Sequence, residues 1–300
     1  MVHRRHIDLQ KENLLIFRLR SKNVSEQERL ALHQIAKAII SERESDNLID
    51  IAESYRKVTE PGGAIDCLIL AQAVNDDPLL RQHAKSACFI GTENYILPGS
   101  HSRIAFTKNE INEIAFEIFS GRINNAKAVP TRSLEDACES VNSGESEFCI
   151  LPIENMGSGK LLGFYSMLDR YELKICDICD VESDENANTV RYALAGKNCK
   201  EPSERSVQNN DYIFEFTIAD TNGNFICQLQ NIISCCGADL ISVNSRPAQY
   251  DVQLQRFIFT VRLHGTKLLL LRTALVMSYN SYIPIGFYTE RAKARPTTST

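Results

Sequence analysis

The sequence lacks several features that would place it at once in a broad class of proteins. Its first residues, MVHRRHIDLQKENLL, are charged where a secretory signal peptide needs an apolar core. Its most apolar run, KLLLLRTALVM, is interrupted by Arg272 and is too short to cross a bilayer. Positive charge is not in excess, since the net charge is −5 and the isoelectric point is about 5.8. These absences argue against membrane proteins and general nucleic-acid binders, and they predict a soluble, cytoplasmic protein.

The ten cysteines lack the spacing of a metal site. The one CxxC is formed by Cys176 and Cys179, and no second CxxC completes a four-ligand zinc site. In an extended segment, residues three apart point to opposite faces, which suits neither a metal nor a disulfide. We therefore expect buried, reduced thiols and no metal.

Patterns of apolar residues divide the chain into three parts. Residues 1–86 carry mainly helical signals, including a capping-box pattern at Ser25–Glu28. Residues 102–197 alternate strand and helix patterns, which indicates an α/β layer. After a polar linker at 198–210, residues 211–290 follow the order βαββαβ of the ferredoxin-like split unit. The predicted fold is therefore a mixed α/β and α+β multidomain protein.

A set of basic residues in the first part is the first candidate site. Arg4, Lys11 and Arg18 recur every seven residues, so on one helix they share a face, and Arg43 and Glu44 lie on a following helix. Arginines that converge inside a helical bundle can bind a dicarboxylate through paired hydrogen bonds. A solvated basic face has the same spacing, so the pattern alone leaves both interpretations open.

The stretch PIENMGSG, residues 152–159, is the second candidate site. It lies where a buried strand ends and a helix is predicted to begin, which is where open α/β sheets bind ligands. Ser158 and the backbone N–H groups around Gly157 and Gly159 can bind an anion at a helix N-terminus. The alternative is a plain strand-to-helix turn with Ser158 as its N-cap.

Two loops of the C-terminal part form the third candidate site. Asn222-Gly223-Asn224 and Asn244–Pro247 both lie at loop edges of the βαββαβ unit. Glycine and asparagine in such loops also serve turn geometry alone.

These segments, in this order, resemble the bifunctional chorismate mutase–prephenate dehydratase family. CILPIENMGSG resembles the family's VPIEN-x-x-SG stretch, SRIAF its first dehydratase strand, and NSRP and GNFI the ESRP and GALV motifs of its regulatory ACT domain. The C-terminal GFYTE is similar to the closing GxYP segment. The resemblance implies a helical mutase-like region at 1–86, a partial dehydratase lobe at 102–197 and an ACT domain at 211–290.

The resemblance also implies an activity and a set of site residues. The family converts chorismate to prephenate and then to phenylpyruvate without a cofactor, acts as a homodimer and binds L-phenylalanine as an effector. Transferred residue by residue, the implied catalytic residues are Thr189, Arg191 and Glu44. The implied substrate-binding residues are Arg4, Arg43, Asn155, Ser158 and Gly159. The implied phenylalanine-binding residues are Gly223, Asn224, Phe225, Asn244, Ser245, Arg246 and Pro247.

Departures from the family pattern predict an impaired dehydratase step. The family's TRF triplet matches Val190-Arg191-Tyr192, so valine replaces the threonine that assists loss of the substrate hydroxyl. Thr189 is one residue away, which on a strand means the opposite face unless a bulge intervenes. The family's glycine-rich loop is replaced by TKNEINE, and CDVESDENANTVRY runs straight through where the family carries a second lobe.

Departures in the other two parts are smaller. The family has a serine and a glutamine in the mutase site, and this chain has Ala73 and Asp77 at those positions. An aspartate there repels a dicarboxylate substrate. Asn244 replaces the glutamate of ESRP. The alternative to the enzyme is therefore a degenerate phenylalanine-binding regulatory or interaction protein. A different reaction on prephenate, such as decarboxylation, is a third hypothesis.

Overall fold

The N-terminal part of the chain is helical. The computed structural model describes residues 25–43, 45–58, 64–88, 102–123, 126–155, 157, 159–182, 189–199, 201–221, 223–248 and 254–289. The first elements in that part are α1 (Glu26–Ser41), α2 (Leu48–Val58), α3 (Ala64–Asp76) and α4 (Pro78–Cys88). The predicted capping box is confirmed, since the Ser25 hydroxyl accepts from the Glu28 N–H and the Glu28 carboxylate accepts from the Ser25 N–H.

Strands and helices alternate in the middle of the chain, as the sequence predicted. The elements are β1 (Arg103–Thr107), α5 (Glu110–Ile123), β2 (Lys127–Thr131), α6 (Leu134–Asn142), β3 (Phe148–Asn155), β4 (Gly159–Lys160), α7 (Leu162–Tyr171), β5 (Lys174–Glu182) and β6 (Thr189–Gly196). The helix that the sequence predicts at the end of the PIENMGSG stretch begins only at Leu162, because Gly159 and Lys160 first pair back onto the end of β3. Gly159 adopts a φ of +90°, which favours glycine and permits this reversal.

The C-terminal part has the predicted βαββαβ order. A short helix, α8 (Glu204–Asn209), precedes β7 (Tyr212–Asp220), α9 (Ile226–Cys235), β8 (Ala238–Pro247), β9 (Gln255–Leu263), α10 (Leu268–Ser278) and β10 (Ile283–Tyr288). The interval 198–210 is therefore not a plain linker. Helix α8 forms there because the Ser203 hydroxyl caps its start and Val207 is buried.

The ten strands of the described residues form one mixed sheet in the order β2-β1-β3-β6-β5-β10-β7-β9-β8, with β4 on the end of β3. Strands β2, β1 and β3 are parallel, and β6 is antiparallel to both β3 and β5. Strand β10 is parallel to β5 and antiparallel to β7, and β7, β9 and β8 are antiparallel neighbours. Strand β10 therefore joins the α/β part to the βαββαβ unit within one sheet.

Gly286 allows β10 to approach β5 closely. It is opposite Ile175, and a Cβ atom at Gly286 would lie 2.4 Å from the Ile175 carbonyl oxygen and 2.7 Å from the Ile175 Cβ. Such distances do not occur between real Cβ atoms and backbone, so any larger residue forces the two strands apart.

Helices cover both faces of the sheet. Helices α6 and α7 pack on one face, and α7 lies across the junction, contacting residues of β5, β7, β9 and β10. Helix α5 packs on the opposite face over the α/β part, and α9 and α10 cover that same face over the βαββαβ unit. The N-terminal helices pack outside α10, where the Arg56 guanidinium donates to the Met277 carbonyl. Within the described ranges, no helix has both the length and the apolar composition needed to cross a membrane.

Candidate functional site

The start of β6 carries the residues predicted for dehydration chemistry. Val190 pairs with Asn155 of β3 and with Val181 of β5, and this register continues without a shift through Arg191. The irregularities in these ladders lie in β3 and β5, so β6 itself has no bulge that could move the Thr189 side chain to the face of Val190. Val190 packs on the α5 face, and the buried Thr189 points to the opposite face.

Arg191 is held by carboxylates of the two neighbouring strands. Its Nε lies 2.8 Å from Asp180 Oδ1 and one terminal nitrogen lies 3.2 Å from Asp180 Oδ2, a paired interaction. The other terminal nitrogen lies 3.8 Å from Glu154 Oε2. Burial lowers the pKa of Arg191, but the hydrogen bond and charge of Asp180 outweigh it and raise the pKa above its ordinary value. A substrate carboxylate would have to compete with Asp180 for this guanidinium.

A second group of polar side chains is buried beside Arg191, and we refer to Lys160, Tyr165, Glu215, Thr260 and Tyr288 as the Lys160 cluster. Lys160 Nζ lies 2.6 Å from Glu215 Oε1, 2.8 Å from Thr260 Oγ1 and 2.9 Å from the Tyr165 hydroxyl. Both tyrosine hydroxyls donate to Glu215, at 2.8 Å from Tyr165 and 2.9 Å from Tyr288. Glu215 is only 1% exposed, so this network satisfies a carboxylate inside the protein.

The two tyrosines of the Lys160 cluster are held as neutral donors. Burial raises the pKa of Tyr165 and of Tyr288 well above the ordinary value, and the charge of Glu215 raises both further. The positive charge of Arg191 opposes this effect at Tyr288, which shows that the cluster and Arg191 share one electrostatic environment. Neither tyrosine is therefore a source of phenolate near neutral pH.

Glu154 connects the two groups. In the strand register it is opposite Lys160 on one side and Arg191 on the other. Two cations and three carboxylates, including Asp180 and Glu215, thus lie at the junction between the α/β part and the βαββαβ unit. Their charges largely compensate one another, as buried charges require.

The end of β1 is closed by local hydrogen bonds. The Asn109 side chain accepts from the Asn112 N–H at 2.8 Å, and the Asn112 side chain donates to the Thr107 carbonyl at 2.7 Å. Asn109 thus caps the first turn of α5, where a glycine-rich loop would leave backbone N–H groups for a ligand. The Asn112 side chain is buried in this arrangement.

The PIEN stretch has a different geometry from the predicted anion site. Asn155 ends β3, and its side-chain oxygen accepts from the Gly157 N–H at 2.9 Å. Gly159 belongs to β4, so it is not at the N-terminus of α7, which follows Leu161. Ser158 lies outside the described residues. The prediction that Gly159 offers its N–H at a helix start was therefore wrong, because the chain reverses there as a hairpin.

Arg43 is the described member of the predicted mutase site, since Arg4 and Glu44 lie outside the described residues. Its Nε lies 2.7 Å from Asp46 Oδ1, and a terminal nitrogen lies 3.8 Å from Asp77 Oδ2. The same guanidinium donates to the Ile40 carbonyl at 2.5 Å. These contacts stabilise the turn between α1 and α2 and partly neutralise the positive charge of Arg43.

The two predicted loops of the C-terminal part lie at the same end of the sheet. Asp220 of β7 and Pro247 of β8 both pair with Gln255 at the start of β9, so the loop after β7 and the end of β8 flank that strand. Gly223 has a φ of +71° and lies against Phe257, which fits its glycine identity.

The aromatic residue of the GNFI motif is packed into the core. The ring of Phe225 lies 5.5 Å from Phe257, 5.9 Å from Phe259 and 5.5 Å from Tyr279, measured between centroids. The preceding Asn224 is exposed. This packing positions the loop against the sheet.

The arginine of the NSRP motif faces the protein interior. Arg246 is 6% exposed and donates to the Asp169 carboxylate and, at 3.4 Å, to the Tyr165 carbonyl. Arg256 of β9 lies 3.3 Å from the same carboxylate. Asn244 is half-buried, and Ser245 and Pro247 are exposed; nothing further in the structure assigns them a ligand. Arg246 thus fastens α7 to the βαββαβ unit.

Lys160, Asp180 and Glu215 were not among the residues predicted from the sequence. One signal was present, because Glu215 interrupts the aromatic run DYIFEFTIAD in a strand with both faces covered. A charged residue in such a strand needs a buried partner. The identity of that partner could not be read from the sequence, since Lys160 is 55 residues away.

Comparisons with known proteins agree with the fold of the middle of the chain. The family model described as prephenate dehydratase matches residues 100–196. A search of curated proteins gives no significant match. Solved structures also match, and the three described next have low identity to this chain.

The first of these structures is GqqA, described as a novel type of quorum quenching acylase, with 16% identity and a TM-score of 0.50 over 63% of this chain and 95% of that one. The prephenate dehydratase of Arthrobacter aurescens in complex with L-Phe has 14% identity and a TM-score of 0.50 over 66% of this chain and 94% of that one. The prephenate dehydratase of Streptococcus mutans has 17% identity and a TM-score of 0.49 over 65% of this chain and 99% of that one. The family match and the structure from Arthrobacter aurescens together show that the chain has a mixed α/β fold resembling prephenate dehydratase structures, with a prephenate dehydratase-like domain at residues 100–196.

Proposed function

We propose that this chain is a phenylalanine-biosynthesis protein of the chorismate mutase–prephenate dehydratase type in which the dehydratase step is impaired. The ordinary dehydratase reaction takes prephenate to phenylpyruvate with loss of water and carbon dioxide. It needs a cation for the substrate carboxylates and a donor that protonates the departing hydroxyl.

The state of Arg191 carries this proposal. Its paired interaction with Asp180 and its contact with Glu154 satisfy the guanidinium before any substrate arrives. Val190, which the resemblance matches to the family's catalytic threonine, faces α5, away from Thr189. The positive charge of Arg191 that would bind the substrate is thus partly neutralised. Position 190, on the α5 face, lacks the hydroxyl that would protonate the leaving group.

The decisive measurement is phenylpyruvate formation from prephenate by the full chain. We expect the wild-type rate to be near the uncatalysed rate and Val190→Thr to raise it, because a positioned proton donor contributes roughly 10²–10⁴-fold. Val181→Thr is the matched control, since Val181 pairs with Val190 across the ladder and faces the same helix. Wild-type turnover far above background would refute the proposed impairment.

The mutase activity is a separate part of the proposal. Arg43 is positioned by Asp46 and lies near Asp77, the residue that stands where the family has a glutamine. If the helices bind chorismate, Asp77→Gln should strengthen binding by removing a negative charge. Chorismate consumption by the wild-type chain and by this variant tests the point, and equal rates at the uncatalysed level would exclude a mutase.

The second candidate is a catalytically degenerate protein that binds L-phenylalanine through an ACT domain. In its favour, the GNFI loop and the NSRP end of β8 lie at the same end of the sheet. Thermal shift with L-phenylalanine tests it, since ligand at 100 times its dissociation constant stabilises by about 2.7 kcal/mol. Gly223→Ala strains a positive φ and should weaken such binding, whereas Gly121→Ala should not.

The cytoplasmic location, the homodimer and the absence of a cofactor belong to the same proposal. Fold likeness does not decide the reaction, because similar folds host different chemistries. The similar structures include one described as a quorum quenching acylase. The assay with prephenate is therefore the measurement on which the proposal depends.

A further inference from the structure

A cavity of about 210 Å³ lies between the N-terminal helices and the helices of the βαββαβ unit. Helices α2 and α3 form one wall, and α9 with the end of α10 forms the other. At about 30 Å³ per water molecule, this volume corresponds to roughly seven waters. It is separate from Arg191 and from the Lys160 cluster, which lie on the opposite face of the sheet beneath α7.

Two opposite charges line the cavity without pairing with each other. The side-chain carboxylate of Asp66 on α3 has no hydrogen bond or ion pair with any other described residue. The Arg56 guanidinium donates to the Met277 carbonyl, which directs it along the cavity edge. Burial raises the pKa of Asp66, as it does for a carboxyl group that lacks a cationic partner.

Aromatic and apolar side chains form the rest of the lining. Tyr55 is buried and experiences the charge of Asp66, and Tyr279 also lines the cavity. The Tyr279 hydroxyl is buried with no hydrogen-bond partner among the described residues. Leu70 and Ala52 supply apolar surface. An acid, two tyrosines and apolar side chains that line one cavity have the chemistry that recognises a cation attached to an apolar body.

We propose that this cavity is a binding site for a small primary ammonium compound with an apolar body, its ammonium held by Asp66 and its body packed between Tyr55 and Tyr279. Such a cation supplies a partner that the described residues do not give to the Asp66 carboxylate. The Tyr279 hydroxyl completes the polar end of the site. Arg56 at the edge can take a carboxylate, which distinguishes an α-amino acid from a simple amine.

Calorimetric titration of the full chain with three matched probes tests the site. The probes are 2-phenylethylamine, which has the amine alone, 3-phenylpropionate, which has the carboxylate alone, and L-phenylalanine, which has both. We expect 2-phenylethylamine to bind and 3-phenylpropionate not to bind. If L-phenylalanine binds more tightly than 2-phenylethylamine and this difference is lost in Arg56→Gln, the ligand class is an α-amino acid. If the two compounds bind equally, the ligand class is a simple amine.

Two variants connect the binding to this cavity. Asp66→Asn should weaken binding of 2-phenylethylamine roughly ten- to a hundredfold, because a hydrogen bond between charged groups is lost. Asp76→Asn is the matched control, since it lies exposed at the other end of α3 and its amide can still accept from Gln72. Tyr279→Phe removes a hydroxyl that has no hydrogen-bond partner among the described residues, so the variant should fold normally and bind several-fold more weakly.

The proposal is overturned by any of three results. These are no heat from 2-phenylethylamine at millimolar concentration, equal binding of 3-phenylpropionate, or unchanged binding in both Asp66→Asn and Tyr279→Phe. Because the simple amine carries no carboxylate and is not a substrate of the proposed dehydratase, these outcomes are independent of the phenylpyruvate assay.

Discussion

The ammonium of Lys160 on β4 lies 2.6 Å from the carboxylate of Glu215 on β7, and these side chains are 11% and 1% exposed. This ion pair joins the dehydratase-like domain to the βαββαβ unit. Replacing Lys160 by methionine leaves the Glu215 carboxylate buried without its cation. We expect Lys160→Met to lower the free energy of unfolding by about 3–5 kcal/mol, measured by urea denaturation.

The double variant Lys160→Met, Glu215→Gln provides the control for this prediction. The glutamine keeps an acceptor oxygen for one of the hydroxyls of Tyr165 and Tyr288, offers an N–H to the other, and removes the isolated charge. The double variant should therefore regain more than half of the stability that Lys160→Met loses. If the double variant loses as much stability as the two single substitutions added together, the two charges contribute independently.

The close approach of β10 to β5 gives a second prediction. In Gly286→Ala, the new Cβ meets the Ile175 carbonyl oxygen at 2.4 Å, so backbone has to move. We expect a loss of stability of about 1–3 kcal/mol or more from this overpacking, seen as a lower melting temperature. Gly121→Ala in α5 meets nothing within 4 Å and should instead stabilise the protein by roughly 0.5–1 kcal/mol. Equal effects of the two substitutions would contradict the role given to Gly286.

The contacts of Glu147 with Arg103 predict that the free energy of unfolding falls at acid pH. Burial by itself raises the pKa of Glu147, but hydrogen bonds from the Arg103 N–H and guanidinium outweigh it and bring the pKa below 4.5. A lowered pKa in the folded state means that its stabilisation is present above the unfolded pKa and is lost as pH falls through the folded pKa. Urea unfolding at several pH values below 5 should therefore show a shallower decline for Glu147→Gln than for the wild type. The exposed Glu145→Gln should decline as the wild type does.

The cysteines should differ widely in reactivity. Cys227 on α9 is exposed, whereas burial raises the pKa of both Cys179 and Cys199 to about 12. Because the thiolate is the nucleophile, iodoacetamide at pH 8 should label Cys227 much faster than the other two. Peptide mass spectrometry measures each site, and labelling in urea provides the reference in which the three rates converge. Fast native labelling of Cys179 would be inconsistent with its burial.

Local patterns predicted most elements of the fold. Within the predicted βαββαβ order, β9 (QRFIFTVRL) forms because β-branched and aromatic residues fill it and loops bound it on both sides. The helix predicted at the end of the PIENMGSG stretch begins later, because pairing of Lys160 with Glu154 depends on tertiary contacts that override local propensity. Helix α8 was missed because its six residues bury only Val207 and carry almost no periodic signal.

The candidate site was predictable only in part. The sequence predicted that Val190 and Arg191 lie next to each other on one strand, and both belong to β6. The engagement of Arg191 by Asp180 did not follow from the sequence, because the register between β5 and β6 selects that partner from several nearby carboxylates. Likewise, the burial of Arg246 depends on where α7 crosses the sheet, and no local pattern specifies that.

The place of β10 in the sheet also bears on how the protein is made. Strand β10 lies between β5 and β7 but follows both in the chain, so the ribosome delivers it after them. Until then, β5 and β7 each have one unpaired edge in the middle of the future sheet, and such edges favour aggregation. A nascent chain arrested before residue 283 should therefore remain dependent on chaperones, however much of its helical part has already formed.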